Sequence, residues 1–66
     1  MKVKILKPKL VEVYKPKLNE TWDKQYFKWD EIKVDGIVEK DNMIDIYTFD
    51  GDIILDMPRD CVEICK

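Results

Sequence analysis

Apolar and polar residues alternate on both sides of Asp50-Gly51 in the segment from Ile44 to Ile64. Asp and Gly accept the positive φ angles of a tight turn, so the pattern predicts a β-hairpin with a two-residue loop. Pairing outward from the loop sets Phe49 opposite Asp52, Thr48 opposite Ile53, Tyr47 opposite Ile54, Ile46 opposite Leu55, Asp45 opposite Asp56, and Ile44 opposite Met57. Because side chains alternate along a strand, we expect every second pair, beginning with Thr48 and Ile53, to face the core.

A third strand is predicted before the hairpin, where Ile32, Val34, Gly36 and Val38 alternate with charged residues. A three-residue loop at Lys40-Asp41-Asn42, with Asn42 left-handed, would join this strand to the hairpin. That loop sets Val38 opposite Ile44, Gly36 opposite Ile46, and Val34 opposite Thr48. Gly36 in mid-strand indicates a kink or bulge of the kind a small barrel needs to bend its sheet.

The N-terminal segment has a strand pattern that is interrupted in the middle. Val3, Ile5, Val11 and Val13 are the predicted core positions, and prolines at 8 and 16 mark the interruption and the end. Lys-Pro-Lys-Leu occurs twice, at 7–10 and 15–18, which we interpret as protection of an exposed edge strand by lysine and proline. A turn at 56–60 and a short strand at 61–64 complete a meander of about five strands.

Residues 19–31, NETWDKQYFKWDE, combine two conflicting patterns. Trp22, Tyr26 and Trp29 have the spacing of one helix face, and Asn19 or Thr21 could cap that helix. Thr, Trp, Tyr and Phe also favour strands. We expect a loop or a single helical turn that enters a strand near Phe27.

The chain has 66 residues, which predicts a single small domain, 1–66, without a deep substrate cavity. Its composition, 45% apolar and 39% charged, excludes a disordered chain and a membrane span. The first ten residues lack the apolar core of a signal peptide, so we expect a cytoplasmic protein whose N-terminus belongs to the fold. Cys61 and Cys65 are too far apart in a strand for a disulfide, and no histidine is present to complete a zinc site. We expect free thiols, with Cys61 buried as a small apolar residue.

Charge is distributed unevenly along the chain. Residues 1–33 contain nine lysines and five acidic residues, whereas residues 34–66 contain three basic and nine acidic residues. Such asymmetry is typical of a nucleic-acid or cationic-partner surface, but it also arises when a basic strand lies against an acidic hairpin. The second explanation is our expectation.

The segment from Ile54 to Ile64, ILDMPRDCVEI, resembles the end of a Src-homology-3 domain. In that family an apolar strand leads to Pro-x-Asn-Tyr-Val, a single tight helical turn and a final strand. The corresponding positions here are Pro58, Asp60, Cys61, Val62 and Ile64. The resemblance covers the last third of the chain and implies an all-β, Src-homology-3-like small β-barrel.

The resemblance does not extend to the proline-rich ligand of that family. Cys61 replaces the tyrosine that lines the peptide groove, residues 34–57 contain no tryptophan, and the Ala-Leu-Tyr-Asp-Tyr segment is absent. Bacterial and phage barrels of similar shape, many of which bind proteins or nucleic acid, are the looser comparison. By this analogy we expect a small phage or mobile-element protein that binds and inhibits a host factor.

The predicted pair of Asp45 and Asp56 is a cross-strand pair of like charges, which destabilises a sheet unless a cation compensates it. Solvent screening or an internal lysine, from the N-terminal strand, is the first explanation, a basic protein partner the second, and a metal or catalytic role the last. No nucleophile–base pair or glycine-rich phosphate loop occurs, so we expect no enzyme activity and no cofactor.

Two sets of residues are candidates for binding. The first hypothesis is protein–protein contact through the acidic hairpin and the aromatic segment. Its residues are Asp45, Tyr47, Phe49, Asp52, Asp56, Trp22, Tyr26 and Trp29. The alternative is single-stranded nucleic acid, with aromatics stacking on bases and lysines contacting phosphates. Its residues are Lys2, Lys4, Lys7, Lys9, Lys15, Lys17, Lys24 and Lys28. A third hypothesis is a self-assembling subunit that pairs through the N-terminal edge strand.

Overall fold

The computed structural model describes residues 1–66 as seven β-strands and one 3-10 turn, with no α-helix. The strands are β1 (Lys2–Ile5), β2 (Lys9–Lys15), β3 (Glu20–Tyr26), β4 (Glu31–Lys40), β5 (Met43–Thr48), β6 (Ile53–Pro58) and β7 (Val62–Cys65). All pairs are antiparallel, and they form one open sheet in the order β3-β2-β6-β5-β4-β1-β7. The predicted all-β class is confirmed, and the sheet has seven strands where the pattern predicted about five.

One cluster of buried apolar side chains forms the core, and no polar or charged residue is buried. Its members are Val3, Ile5, Val11, Val13, Tyr26, Val34, Ile44, Ile46, Ile54, Met57, Cys61 and Val62. All four core positions predicted in the N-terminal segment are therefore confirmed, as is the burial of Cys61. Both cysteines are free.

The loop between β5 and β6 has three residues rather than the predicted two. The Thr48 amide donates to the Asp52 carbonyl at 2.9 Å, and the Gly51 amide donates to the Thr48 carbonyl at 3.1 Å. Gly51 has φ 92, the left-handed conformation that closes a three-residue hairpin loop. The pairing consequently slips by one residue, and Tyr47 lies opposite Ile53 instead of Ile54.

This slip reverses which hydrophobic residues of β6 face the core. Ile54 is fully buried, while Ile53 and Leu55 are half-buried on the opposite side of the sheet. The predicted inward orientation of Ile53 and Leu55 is therefore wrong, since a one-residue slip exchanges the two faces of a strand. An extra residue in β6, Asp56 at φ 52, then restores the predicted pair of Ile44 and Met57.

The loop between β4 and β5 is shorter than predicted, with two residues instead of three. Lys40 pairs with Met43, and Asp41, rather than Asn42, has the positive φ. The register shifts between Val34 and Gly36, so the predicted irregularity at this glycine is confirmed, although Val38 faces outward instead of inward.

The N-terminal segment forms two interior strands, so the prediction of an exposed N-terminal edge strand is wrong. β1 lies between β4 and β7, and β2 lies between β3 and β6. The edges of the sheet are β3 and β7. Pro8 falls in the connection between β1 and β2, and Pro16 in the turn between β2 and β3.

Residues 20–26 form the edge strand β3, which corrects the prediction of a loop or helical turn there. The β2–β3 hairpin pairs from Lys9 with Tyr26 to Lys15 with Glu20, around a four-residue turn that ends on Asn19 at φ 50. Strand preference thus outweighs helical spacing in this segment, because β2 offers a matching partner along its whole length.

Near the C-terminus, β6 ends at Pro58, a 3-10 turn spans Arg59–Cys61, and β7 returns antiparallel to β1. The Arg59 amide donates to the Asn42 carbonyl at 2.8 Å, which ties this turn to the β4–β5 loop. No helix in the structure has the length and apolar composition needed to cross a membrane.

Candidate interaction surfaces

The outer face is defined here as the side of strands β3, β2, β6, β5 and β4 that points away from the core. Strand register places three large side chains of this face directly beside one another: Tyr14 on β2, Ile53 on β6 and Tyr47 on β5. We call them the apolar row. The next position along the row is Gly36 on β4, which has no side chain and no atom within 4 Å of where a Cβ would lie. The row is therefore open to solvent at its β4 end.

Further apolar side chains extend the outer face around this row. Leu10 on β2 is 58% exposed and Val38 on β4 is 46% exposed. Leu55 on β6, the register partner of Glu12, is half-buried on the same face. The strands thus place a run of hydrophobic side chains on a sheet face that no other part of the chain covers.

A second row of the outer face carries negative charge, and we call it the acidic row. Its carboxylates are Asp23 on β3, its register partner Glu12 on β2, Asp45 on β5, and Asp56, the extra residue of β6 that follows Leu55, the β6 partner of Glu12. Only one ammonium group, that of Lys40, forms an ion pair with any of them. The acidic row lies two residues along the strands from the apolar row, a step of about 6.8 Å.

Lys40 compensates the predicted like-charge pair of Asp45 and Asp56. Its Nζ lies 3.2 Å from Asp45 Oδ1 and 2.7 Å from Asp56 Oδ1. The Asp56 amide also donates to Asp45 Oδ1 at 3.0 Å, so the β6 bulge supplies a second donor. Hydrogen bonds to Asp56 and Asp45 raise the pKa of Lys40 above its ordinary value of 10.5. An internal lysine was among the expected explanations, but it comes from β4 and not from the N-terminal strand.

Glu12 and Asp23 form a second like-charge pair that the sequence analysis did not identify. They are direct register partners on β2 and β3, both exposed. Neither carboxylate has an ion-pair or hydrogen-bond partner in the chain. Carboxylates directly opposite each other destabilise a strand pair, so this end of the acidic row is uncompensated.

The opposite side of β3 borders a groove of about 240 Å³, which we call the β3 groove. Trp22, Asp23, Lys24 and Tyr26 line it from β3, and Thr48 and Asp52 line it from the β5–β6 hairpin. A continuation reaches Phe49, whose side chain is 68% exposed. The lysines of the groove, Lys15, Lys24 and Lys33, are accompanied by Glu31, Asp50 and Asp52.

Lys15 lines the β3 groove from β2. Its Nζ lies 2.9 Å from Asp52 Oδ2 and 5.3 Å from the centre of the Trp22 ring. Both partners of the Lys15–Asp52 ion pair are half-buried. Burial, followed by the negative charges of Asp52 and Asp30, raises the pKa of Tyr26 above its ordinary value of 10.0. Among the lysines of the groove, only Lys15 forms an ion pair within the chain.

The eight residues predicted for protein contact lie on separate surfaces. Asp45, Tyr47 and Asp56 lie on the outer face, whereas Trp22, Tyr26, Phe49 and Asp52 line the β3 groove. Trp29 lies in the turn before β4, where its amide donates to the Ile5 carbonyl at 2.7 Å and Lys28 covers its ring at 4.9 Å. The structure therefore brings Phe49 and Asp52 of the hairpin together with Trp22 and Tyr26 of the aromatic segment, whereas Asp45, Tyr47 and Asp56 lie apart from them.

Of the eight lysines predicted for nucleic-acid contact, three form ion pairs with carboxylates and five do not. Lys2 pairs with Glu31 at 3.4 Å, Lys7 with Asp60 at 3.3 Å, and Lys15 with Asp52. Lys4, Lys9, Lys17, Lys24 and Lys28 have no carboxylate within ion-pair distance. The expected cancellation of charge between the two halves of the chain is thus only partial.

Sequence reasoning missed Leu10, Glu12, Tyr14 and Asp23 as surface candidates. A signal for the first three was present, because they occupy the alternate positions to Val11 and Val13 and must face away from the core. Asp23 could not be placed until β3 was known to be a strand.

Comparison of this chain with protein-family models, with curated proteins and with solved structures found no match in any of the three.

Proposed function

We propose that this chain is a non-enzymatic protein–protein interaction module that binds its partner through the outer face. The observation that carries the proposal is the apolar row of Tyr14, Ile53 and Tyr47, which faces away from the core across three neighbouring strands, with Tyr47 exposed and the other two half-buried. A sheet normally buries its apolar faces against another layer, and exposed apolar patches bordered by polar groups are typical of interaction sites.

The charges of the outer face favour protein over nucleic acid. Four carboxylates and one lysine lie beside the apolar row, and that lysine forms ion pairs with two of the carboxylates. Such a surface repels phosphates. It suits a protein surface, in which apolar contacts supply affinity and charges select the partner.

We also propose that the chain has the fold of a Src-homology-3-like small barrel. Two features support it: the strand, 3-10 turn and final strand at residues 53–65, and the return of β7 to pair with β1. A small binding module of this shape suits a phage or mobile-element protein that blocks a host factor in the cytoplasm, and the crosslinking experiment below would identify that factor.

Site-specific photocrosslinking tests the proposed surface. A photoreactive phenylalanine analogue replaces Tyr47 on the outer face in one variant and Leu18 in the β2–β3 turn in a matched variant, since both positions are exposed. In extracts of the producing cells, we expect one protein adduct of defined mass from position 47 and none from position 18. Equal adducts from both positions, or none from position 47, would reject the outer face as the binding surface.

Single-stranded nucleic acid is the second candidate function, and it would use the opposite side of the molecule. Lys24 lies 5.1 Å from the Tyr26 ring and Lys28 lies 4.9 Å from the Trp29 ring, and neither lysine has a carboxylate partner. Amide shifts on titration with oligonucleotides, weakening steeply with salt, would support this function. An absence of shifts at low salt would exclude it.

A further inference from the structure

We infer that the partner presents a cationic amphipathic helix, which lies across the strands of the outer face. Its apolar side chains would pack on the apolar row, and its lysines or arginines would reach the acidic row. This inference rests on the proposed function and adds the chemistry and shape of the partner.

The first argument is the sign and position of the charges. On four of its five strands, the outer face carries the carboxylates of the acidic row, Asp23, Glu12, Asp56 and Asp45, and Lys40 is the only cation paired to them. The lysines without a carboxylate partner, among them Lys17, Lys24 and Lys28, lie outside both rows. A basic partner is therefore attracted to this face.

The second argument is the uncompensated pair of Glu12 and Asp23. Their direct opposition disfavours the β2–β3 pairing in the free chain, whereas the pair of Asp45 and Asp56 is relieved by Lys40. A partner cation placed between Glu12 and Asp23 would compensate their negative charges, as Lys40 compensates those of Asp45 and Asp56. Each end of the acidic row would then have one cation beside its carboxylates.

The third argument is the length of the surface. The face crosses five strands, and four strand spacings of about 4.8 Å make roughly 19 Å. A helix rises about 1.5 Å per residue, so about 13 residues span the face, and a helix about 10 Å wide covers two rows separated by about 6.8 Å. Helices commonly cover an exposed sheet face in this way.

The probe for this inference is a set of three synthetic helices of about 14 residues with leucine along one face. The remaining positions are lysine in the first peptide, glutamine in the second and glutamate in the third. Amide shifts of the labelled chain are followed during titration with each peptide. We expect the lysine peptide to shift the amides around Tyr47, Ile53 and Glu12, and the glutamate peptide to shift none.

A matched pair of charge reversals then tests the acidic row. Glu12→Lys changes the outer face, and Glu63→Lys makes the same change on β7; both glutamates are exposed and neither forms an ion pair. We expect Glu12→Lys to weaken binding of the lysine peptide by about tenfold while its unfolding midpoint stays the same or rises. Glu63→Lys should change binding by less than about twofold.

The outcomes separate the inference from the proposed function. Equal binding of the glutamine and lysine peptides to the outer face would leave an interaction surface but overturn its preference for a basic partner. Equal weakening by Glu12→Lys and Glu63→Lys would overturn it too, since only net charge would then matter. Shifts confined to the β3 groove, or no shifts with the lysine peptide, would also overturn it, while the crosslinks from position 47 decide the proposed function independently.

Discussion

Gly51 is the residue whose backbone determines the register of the central hairpin. Its φ of 92 closes the three-residue loop and causes the one-residue slip that exposes Ile53. The Asp50-Gly51 pair predicts a hairpin from sequence, but it is compatible with both loop lengths. The three-residue loop is accompanied by bulges at Asp56 and near Gly36, and these depend on packing over the whole sheet, which the loop residues do not encode.

The two glycines of the chain make a matched test of this role. Gly51→Ala forces a side chain into the left-handed region and should cost about 1 kcal/mol of the free energy of unfolding. Gly36 lacks a positive φ, and a Cβ there meets no atom within 4 Å, so Gly36→Ala should be neutral or slightly stabilising. Urea unfolding of both variants measures the difference. Equal destabilisation by the two substitutions would contradict the loop assignment.

Lys40 is the residue that lets Asp45 and Asp56 lie side by side. Lys40→Met should lower the thermal unfolding midpoint, because two neighbouring carboxylates then lack a cation, and the loss should shrink as salt is added. Lys17→Met is the control, since Lys17 is exposed in a turn and forms no ion pair. A midpoint for Lys40→Met that matches the control would show that solvent screening alone accommodates the pair.

Tyr26 and Lys40 give the molecule a specific response to alkaline pH. Both pKa values are raised in the folded chain, so both groups favour folding in their protonated forms. Their contribution is complete below the ordinary values of 10.0 and 10.5 and is lost as pH rises through the folded values. Urea unfolding between about pH 8 and about pH 11 should show falling stability, with a smaller fall for Tyr26→Phe. An identical fall in that variant would contradict the role of Tyr26.

At the scale of elements, alternation predicted where strands occur better than it predicted which way their side chains point. The buried set Val3, Ile5, Val11 and Val13 followed from period-two spacing alone. The pair of Ile44 and Met57 was also predicted correctly, because the loop and bulge of the β5–β6 hairpin compensate each other at that distance. Between the loop and this pair, the β6 residues lie one position away from the predicted register.

Two adjacent isoleucines test the observed register directly. Ile54 is fully buried and Ile53 lies in the apolar row, so Ile54→Val should cost about 1 kcal/mol and Ile53→Val less than about half as much. Chemical unfolding of the two single-methylene variants gives both values under the same conditions. A larger cost at Ile53 would restore the register predicted from the two-residue loop.

The strand β3 shows why local sequence was insufficient for residues 19–31. Its own residues satisfy both a helical and an extended pattern, and six of its seven side chains are exposed, so its burial carries little information. Its conformation is determined by β2, to which it pairs in uninterrupted register. Such pairing could be predicted only after β2 was recognised as separate from β1.

At the scale of the whole molecule, the sheet separates charge by face rather than by chain half. The net charge of -2 and the asymmetry along the sequence suggested a basic half and an acidic half. The ion pairs of Lys7 with Asp60 and of Lys15 with Asp52 join the two halves as expected, whereas Lys2 pairs with Glu31 within the first half. The outer face remains acidic and apolar, a combination that depends on the register and could not be derived from composition.

Hydroxyl-radical footprinting of the chain, free and bound to the protein crosslinked through position 47, tests the outer face most directly. We predict that Tyr14, Tyr47 and Leu10 react in the free chain and are protected in the complex, while Trp22 and Trp29 react in both. Protection of the two tryptophans with continued reaction of Tyr47 would contradict the account and move the binding surface to the opposite side of the sheet.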